Sequence, residues 1–420
     1  MSDAARQGDL RNYILVTGAY WADTVADGAS RMLVLFYFYQ LGYSAFEVAS
    51  LFLFYEVFGI LTNLFGGWIA ARLGLKFTLF SGLTIQIVAL GLLGLAPEAW
   101  LVVPYVMASQ ALSGIAKDLT KMSSKSAVKL VVPEGSESSL FKWVAVLTGS
   151  KNALKGVGFF IGGLLLTLVG FQTSMVILLV MVATALVTTA SLMHGGLGKS
   201  DAGARFRHMF SNTRSINVLA AARVFLFASR DVWFVVGLPV YLSSVLGWSY
   251  WGVGAFLAIW VIGYGAVQAS APSFMNRRAK ETGRLPDGRT ATWLAFVLAA
   301  FPAAIAIALA ADLDPTTVLV VGLIAFGFVF AMNSAVHSYL VLSYADNDKV
   351  AMNVGFYYMA NAGGRLVGTV LSGALYQWQG LTACLWASVL FVLAAALLSL
   401  MLPASHRFRP ANPIQRLHQP

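Results

Sequence analysis

"HGGLGKSDAGARFRHMFSNTRS", residues 194–215, is the widest polar stretch inside a chain that otherwise avoids polarity. On either side run apolar windows long enough to cross a hydrocarbon core, about 20 residues each. Six precede it, near 12–40, 45–71, 77–96, 100–120, 140–169 and 174–194. Six follow, near 216–245, 251–275, 290–311, 316–345, 350–377 and 382–402. Turn signals mark the gaps: "LGYS", "LAPEA", "VGFQ", "LGWSY", "DLDP" and "QWQG". The expected organisation is a six-helix bundle over 1–194, a linker over 195–215, a second bundle over 216–404 and a tail over 405–420.

Composition agrees. The chain has 420 residues, 58% of them apolar and only 11% charged, where a soluble domain carries about 25% charged residues. Mean hydropathy is +0.74. The 39 glycines and 13% aromatics suit membrane helices. A lone cysteine, Cys384, excludes an internal disulfide and a thiolate cage, and reads as packing. The polar start "MSDAARQGDLRNY" followed by a long apolar span does not read as a cleavable signal.

The net charge of +10 resembles a nucleic-acid signature, but its placement excludes that. Connections 41–45, 97–99, 170–173, 246–250, 312–315 and 378–381 contain no Lys or Arg. The opposite side holds Arg6, Arg11, Arg72, Lys76, the lysines from 117 to 155, Arg205, Arg207, Arg214, the "NRRAKETGRLPDGR" loop, Lys349 and Arg407. By the positive-inside rule both termini are cytoplasmic, and the expected location is the inner (plasma) membrane. "LGYS" (41–44) and "LGWS" (246–249) each close the first span of a half. The expected class is therefore an all-α membrane protein of the major facilitator fold, with 12 transmembrane helices in two pseudo-symmetric six-helix bundles and a site between them at mid-membrane. "GKS" (198–200) ends like a phosphate-binding loop, but Met193 stands where the first glycine belongs. With no nucleotide, metal or nucleophile–base constellation in the sequence, the reading is a gradient-driven carrier without cofactor, and not an enzyme.

A charge at the membrane centre costs about 2.5–3.5 kcal/mol on insertion scales, so intramembrane charges are informative. In the first span Asp23, Asp27 and Arg31 fall on one helical stripe. Arg31 precedes the turn by ten residues, about 15 Å of helix. The residues leave two readings open: a self-neutralising Asp27–Arg31 pair, or an anion ligand with a carboxylate that releases it. In the seventh span Arg223 and Arg230 share a face and Asp231 adjoins. "ASR" recurs at 29–31 and 228–230, so one arginine from each half is placed to clamp an oxyanion; a structural Arg230–Asp231 pair is the plainer reading. Span eleven offers Tyr358, Asn361, Arg365 and Thr369, span ten Asn333 and His337, and span two Glu56 and Asn63. Asp23, Asp27, Glu56 and Asp231 are the proton-coupling or release candidates. Spans three, six, nine and twelve carry no charge in their apolar runs and are expected at the periphery.

In "SGIAKDLTKMSSKSAVK" (113–129), Lys117, Lys121, Lys125 and Lys129 keep a strict spacing of four, and Lys151 and Lys155 stand before "GVGFFIGGLLL". Positive-inside topology explains part of this. A basic funnel at the cytoplasmic mouth, concentrating a polyanion, explains the rest.

The stretches "LFLFYEVFGILTNLFGGWIAARLGL", "QALSGIAKDLTKMSSKSAVKLVVP", "TGSKNALKGVGFF" and "RVFLFASRDVWFVVGLPVYL" resemble the ArsJ-type organoarsenical efflux permeases of the major facilitator superfamily. The resemblance covers nearly the whole chain. It implies export of 1-arseno-3-phosphoglycerate, an ester that a partner glyceraldehyde-3-phosphate dehydrogenase makes from arsenate, and hence arsenate resistance. The superfamily loop pattern appears as "GWIAARLGLK": Gly67, Arg72, Gly74 and Lys76 match, while Ala71 and Leu75 replace the usual Asp and Arg. "GFFIGG" (158–163) resembles an exporter motif with Phe159 in place of its proline. An organophosphate or phosphate-type anion carrier is the alternative within transport. A non-transporting membrane sensor or scaffold is the alternative outside it.

Overall fold

The structure, a computed structural model, describes residues 3–131, 137–193, 213–282, 286–344 and 350–403. Most of the expected linker and the whole expected tail lie outside these residues. Among the described residues there is no strand. The first six spans are α1 (Asp3–Gln40), α2 and α3 (Ala45–Leu51 and Leu53–Leu73), α4 (Leu75–Gly94), α5 (Val103–Val131), α6 (Glu137–Val169) and α7 (Phe171–Leu192). The last six are α8 and α9 (Arg214–Phe234 and Gly237–Val240), α10 (Tyr250–Thr282), α11 (Gly288–Ala310), α12 (Pro315–Ser343) and the two legs of α13 (Val350–Ser399). The expected spans are therefore all helical. The legs of α13 part at Gln379 and Gly380, where Gly380 takes φ +68, a conformation that glycine adopts without strain.

Local chemistry fixes the ends. Ser44 caps α2 through a reciprocal box with Glu47, and Asp287 does the same for α11 with Thr290. Asp314 caps α12 ahead of Pro315, and hydrogen bonds from Thr317 hold its carboxyl below the ordinary Asp value. The seventh span, expected as one helix over 216–245, breaks after Phe234. Pro239 lacks an N–H, and the freed N–H groups of Val236 and Gly237 donate to the Ser372 hydroxyl on α13, at 3.2 and 3.0 Å. A π turn, Tyr241–Val245, ends the span.

Small residues let helices cross closely. A Cβ on Gly28 of α1 would lie 2.7 Å from the Lys155 carbonyl, and Gly158 and Gly162 of α6 would meet the α1 backbone in turn. The charge-poor spans face outward as expected, with Val88, Val187, Trp293 and Leu390 exposed.

The first and second sets of helices meet along two seams. In one, Gly156 and Gly163 of α6 pack on the α10 backbone at Ala258 and Tyr250. In the other, Gly373 of α13 packs on α2 at Ala45, Phe46 and Ala49, and the Phe46 N–H donates to Gln377 Oε1 at 3.2 Å. Tyr250 also lies against Phe36 of α1, ring centroids 4.7 Å apart. The α2–α13 contacts and the Gly163–Tyr250 contact lie toward the end where the connections carry no Lys or Arg, and the α6–α10 seam continues past Gly156 to Asn152, which lies against Gly265.

Candidate functional site

Between the two seams the intramembrane charges join into one chain that crosses from half to half. Arg31 of α1 donates to Glu56 Oε1 of α3 at 3.3 Å. Arg365 of α13 donates to the same oxygen at 2.6 Å. Arg365 also faces Asp231 of α8, with Nε 3.5 Å from Oδ2. Asp231 Oδ1 in turn accepts from Arg230 Nε at 2.6 Å. Both carboxylates are buried, Glu56 at 1% and Asp231 at 2% side-chain exposure. From the sequence, Arg31 and Arg230 are expected as opposed ligands from the two halves, with Arg365 on the polar stripe of span eleven. The structure does bring them together, but through shared carboxylates rather than around open space.

Two pairings differ from expectation. Arg31 does not pair with Asp27, one turn away on its own helix; it reaches across to Glu56. Asp27 instead accepts from the Tyr55 hydroxyl at 2.6 Å. The Tyr55 ring lies under Arg31, 4.6 Å from the guanidinium carbon, and under Lys117, 4.1 Å from Nζ. Asp23 accepts from Thr120 Oγ1 at 2.6 Å, its other oxygen has no partner, and among the described residues no cation lies within ion-pair distance of it.

The lysine stripe is not a bare funnel. Asp118 sits within it, accepts from Lys121, and lies 3.7 Å from Lys117 Nζ. Asn63 completes the cluster, donating to Asp118 Oδ2 at 3.0 Å and accepting from Lys121 at 2.7 Å. Lys151 is half-buried nearby on α6. Lys155 lies 5.8 Å above the Phe159 ring, without a carboxylate in ion-pair reach among the described residues. Lys155 acts electrostatically on Glu56 together with Arg31, Arg365 and Lys117. Lys155 therefore belongs to the centre, not to a remote mouth. The side chains of Lys125 and Lys129 lie outside what is described.

A second group occupies the C-terminal half. Arg223 Nε donates to Asn361 Oδ1 at 3.0 Å, and its Nη1 donates to the Ser334 carbonyl at 3.2 Å. Asn333 and His337 are buried on α12. Tyr358 is different: it is 39% exposed, and the neighbouring Tyr357 lies against Arg223 instead, 4.8 Å from the guanidinium carbon. The α13 stripe thus begins at Tyr357 and runs through Asn361, Arg365 and Thr369 at a uniform spacing of four, a regularity visible in the sequence but displaced there by one residue. Sequence reading also missed Tyr55, which carries no formal charge, and Asp118, which lysines surround.

The loop motif gives less. Gly74 takes φ +85 where α4 begins, which explains glycine there, and Lys76 lies 5.6 Å over the Phe80 ring. Gly67 and Arg72 fall in α3 where nothing beyond the helical backbone is described. Among the described residues no His, Cys, Asp and Glu group is arranged to hold a metal ion.

The sequence pattern of the Major Facilitator Superfamily matches residues 16–368. No curated relative matches. Solved structures that share the fold include three transporters. A mutant form of the nucleoside transporter NupG is 15% identical over 94% of this chain and 98% of its own, with TM-score 0.67. A POT family transporter in complex with a thioalcohol-conjugated peptide is 14% identical over 93% and 95%, with TM-score 0.72. Another, in complex with 5-aminolevulinic acid, has the same identity and coverages with TM-score 0.74. At these identities the likeness concerns the fold.

Proposed function

The chain belongs to the Major Facilitator Superfamily and is a multi-pass membrane transporter; on that premise we propose that it exports an anionic organoarsenical, 1-arseno-3-phosphoglycerate, across the inner membrane and so confers arsenate resistance. The observation that carries the anionic part is the chain Arg31–Glu56–Arg365–Asp231–Arg230, which spans both halves at mid-membrane. In it Glu56 occupies the space between Arg31 and Arg365 as a tethered anion. An oxyanion of the cargo takes its place, Lys155 and Lys117 add charge on the same side, and closure at the charge-poor end exposes the cargo to the basic, cytoplasmic end. The arsenic part rests on the resemblance of the quoted stretches. The partner enzyme, a glyceraldehyde-3-phosphate dehydrogenase, is proposed on the same resemblance. The charge bias of the connections supports a cytoplasmic position for both termini.

The test is uptake into everted vesicles of the arseno-ester made in place by the dehydrogenase. Vesicles bearing the protein accumulate arsenic, and Arg31→Ala and Arg230→Ala insert normally but accumulate none. Equal uptake of 3-phosphoglycerate would defeat the arsenic-specific claim, and normal uptake by either variant would remove the proposed site. A second reading, exchange of an organophosphate for phosphate, draws on the same arginines from both halves. Strict dependence of uptake on phosphate preloaded inside the vesicles would favour it.

A further inference from the structure

Arg223 differs from Arg31, Arg230 and Arg365. It is 4% exposed, yet among the described residues no carboxylate lies within ion-pair distance of it. Its hydrogen-bond partners, the Asn361 side-chain oxygen and the Ser334 carbonyl, are neutral. So are the rings it covers, Phe227 at 4.0 Å and Tyr357 at 4.8 Å. A buried ion without a counter-charge is costly, and the ring faces return only part of that cost. The adjoining face of α12 adds groups that lack partners. Asn333 is 0% exposed with neither amide atom hydrogen-bonded, and His337 is 1% exposed with Nδ1 unpartnered. Arg223 acts electrostatically on His337. Such orphans are costly and rare in native interiors.

We infer that Arg223, Asn333 and His337 form a second anion subsite, separate from the arginine–carboxylate chain, for a terminal phosphoryl group or another tetrahedral oxyanion. The Arg223 guanidinium supplies the charge and the Asn333 amide a donor. The inference rests on the transport reading above and deepens it. Phe227 stands between the two centres, its ring centroid 4.0 Å from the Arg223 guanidinium carbon and 5.0 Å from that of Arg230. A cargo anionic at both ends therefore bridges them past this ring, one end at Arg223 and the other displacing a carboxylate of the chain. A cargo with one anionic end satisfies only one centre. Specificity for doubly anionic small molecules follows.

The experiment uses the full chain in lipid nanodiscs, with inorganic phosphate and 3-phosphoglycerate as probes, read by calorimetric affinity and thermal unfolding. In Arg223→Gln both affinities fall at least tenfold, while the ligand-free Tm rises because an uncompensated buried charge is gone. In Asn333→Ala, which keeps that charge, affinity falls severalfold. A purely structural Arg223 would instead lower the ligand-free Tm and leave affinity unchanged, which overturns the inference. So does unaltered phosphate affinity in both variants, or a wild type that binds neither probe. Phosphate binding without 3-phosphoglycerate binding overturns the two-ended cargo. If phosphate binds through Arg223 but vesicles carry no arseno-ester, the subsite stands and the proposed cargo falls. If vesicles carry it and Arg223→Gln carries it equally, the cargo stands and the subsite falls.

Discussion

Glu56→Gln tests the central chain most directly. The side chain keeps its size, and the amide oxygen still accepts a hydrogen bond, but the negative charge shared by Arg31 and Arg365 disappears. Side-chain exposures are 1% for Glu56, 7% for Arg31 and 18% for Arg365, so water replaces little of the lost interaction. Removing one partner of a buried pair costs about 3–5 kcal/mol. Arg365 retains Asp231 at 3.5 Å, which places the expected loss at the lower end, about 3 kcal/mol, or roughly a hundredfold in the unfolding equilibrium. An added anion displaces the neutral amide from between the two arginines, and saturation at a hundred times its Kd returns about 2.7 kcal/mol. The assay is reversible denaturation in nanodiscs followed by tryptophan fluorescence, with and without phosphate. Glu56→Gln is less stable than wild type without phosphate and regains most of the deficit with it, binding phosphate more tightly than wild type does. Stability equal to wild type in anion-free buffer would refute the reasoning, because Glu56 would then not be compensating the arginines.

The acids of the N-terminal half separate by their partners. Asp118→Asn strips Lys117 and Lys121 of their shared carboxylate and lowers unfolding free energy by about 2–4 kcal/mol, whereas Asp23→Asn, whose described partner is a hydroxyl, changes it by less than about 1 kcal/mol; equal losses in the two would contradict the pairing. Gly162→Ala drives a methyl group into the Ala29 backbone and lowers stability by about 1–3 kcal/mol; an unaffected unfolding curve would mean that α1 and α6 lie farther apart. Gly163→Leu wedges the α6–α10 seam at Tyr250, so a cysteine placed at position 36 in a Cys384→Ser background reacts faster with an impermeant thiol reagent added at the charge-poor face than it does without the wedge. An unchanged rate would contradict closure at that face. Lowering the pH through the depressed Asp314 value removes its contribution to the α12 cap, present above the ordinary Asp pKa; the protection of the Thr317 amide, its exchange rate relative to the intrinsic rate at the same pH, falls there in wild type but not in Asp314→Ala, where it is already low.

The span count, the connections without Lys or Arg and the outward placement of the neutral spans were legible in the sequence. Insertion into hydrocarbon is scored nearly residue by residue along a window of fixed length, so these properties are local. The break after Phe234 was not read from the sequence, although Gly237 and Pro239 stand there; it needed Ser372, distant in the chain, to receive the N–H groups of Val236 and Gly237. Which charges lie inside the spans was also readable, because few occur there. Whom they meet was decided only by the tertiary structure. Arg31 has Asp27 one turn away, yet Glu56 takes its guanidinium and Tyr55 takes Asp27. Arg365 closes the chain with residues of both halves, while Arg223, on the same helix as Arg230, is left among neutral groups. Long side chains reach across helix interfaces, and in a medium that offers no water each charge settles on whichever partner the packing of separate helices brings within range.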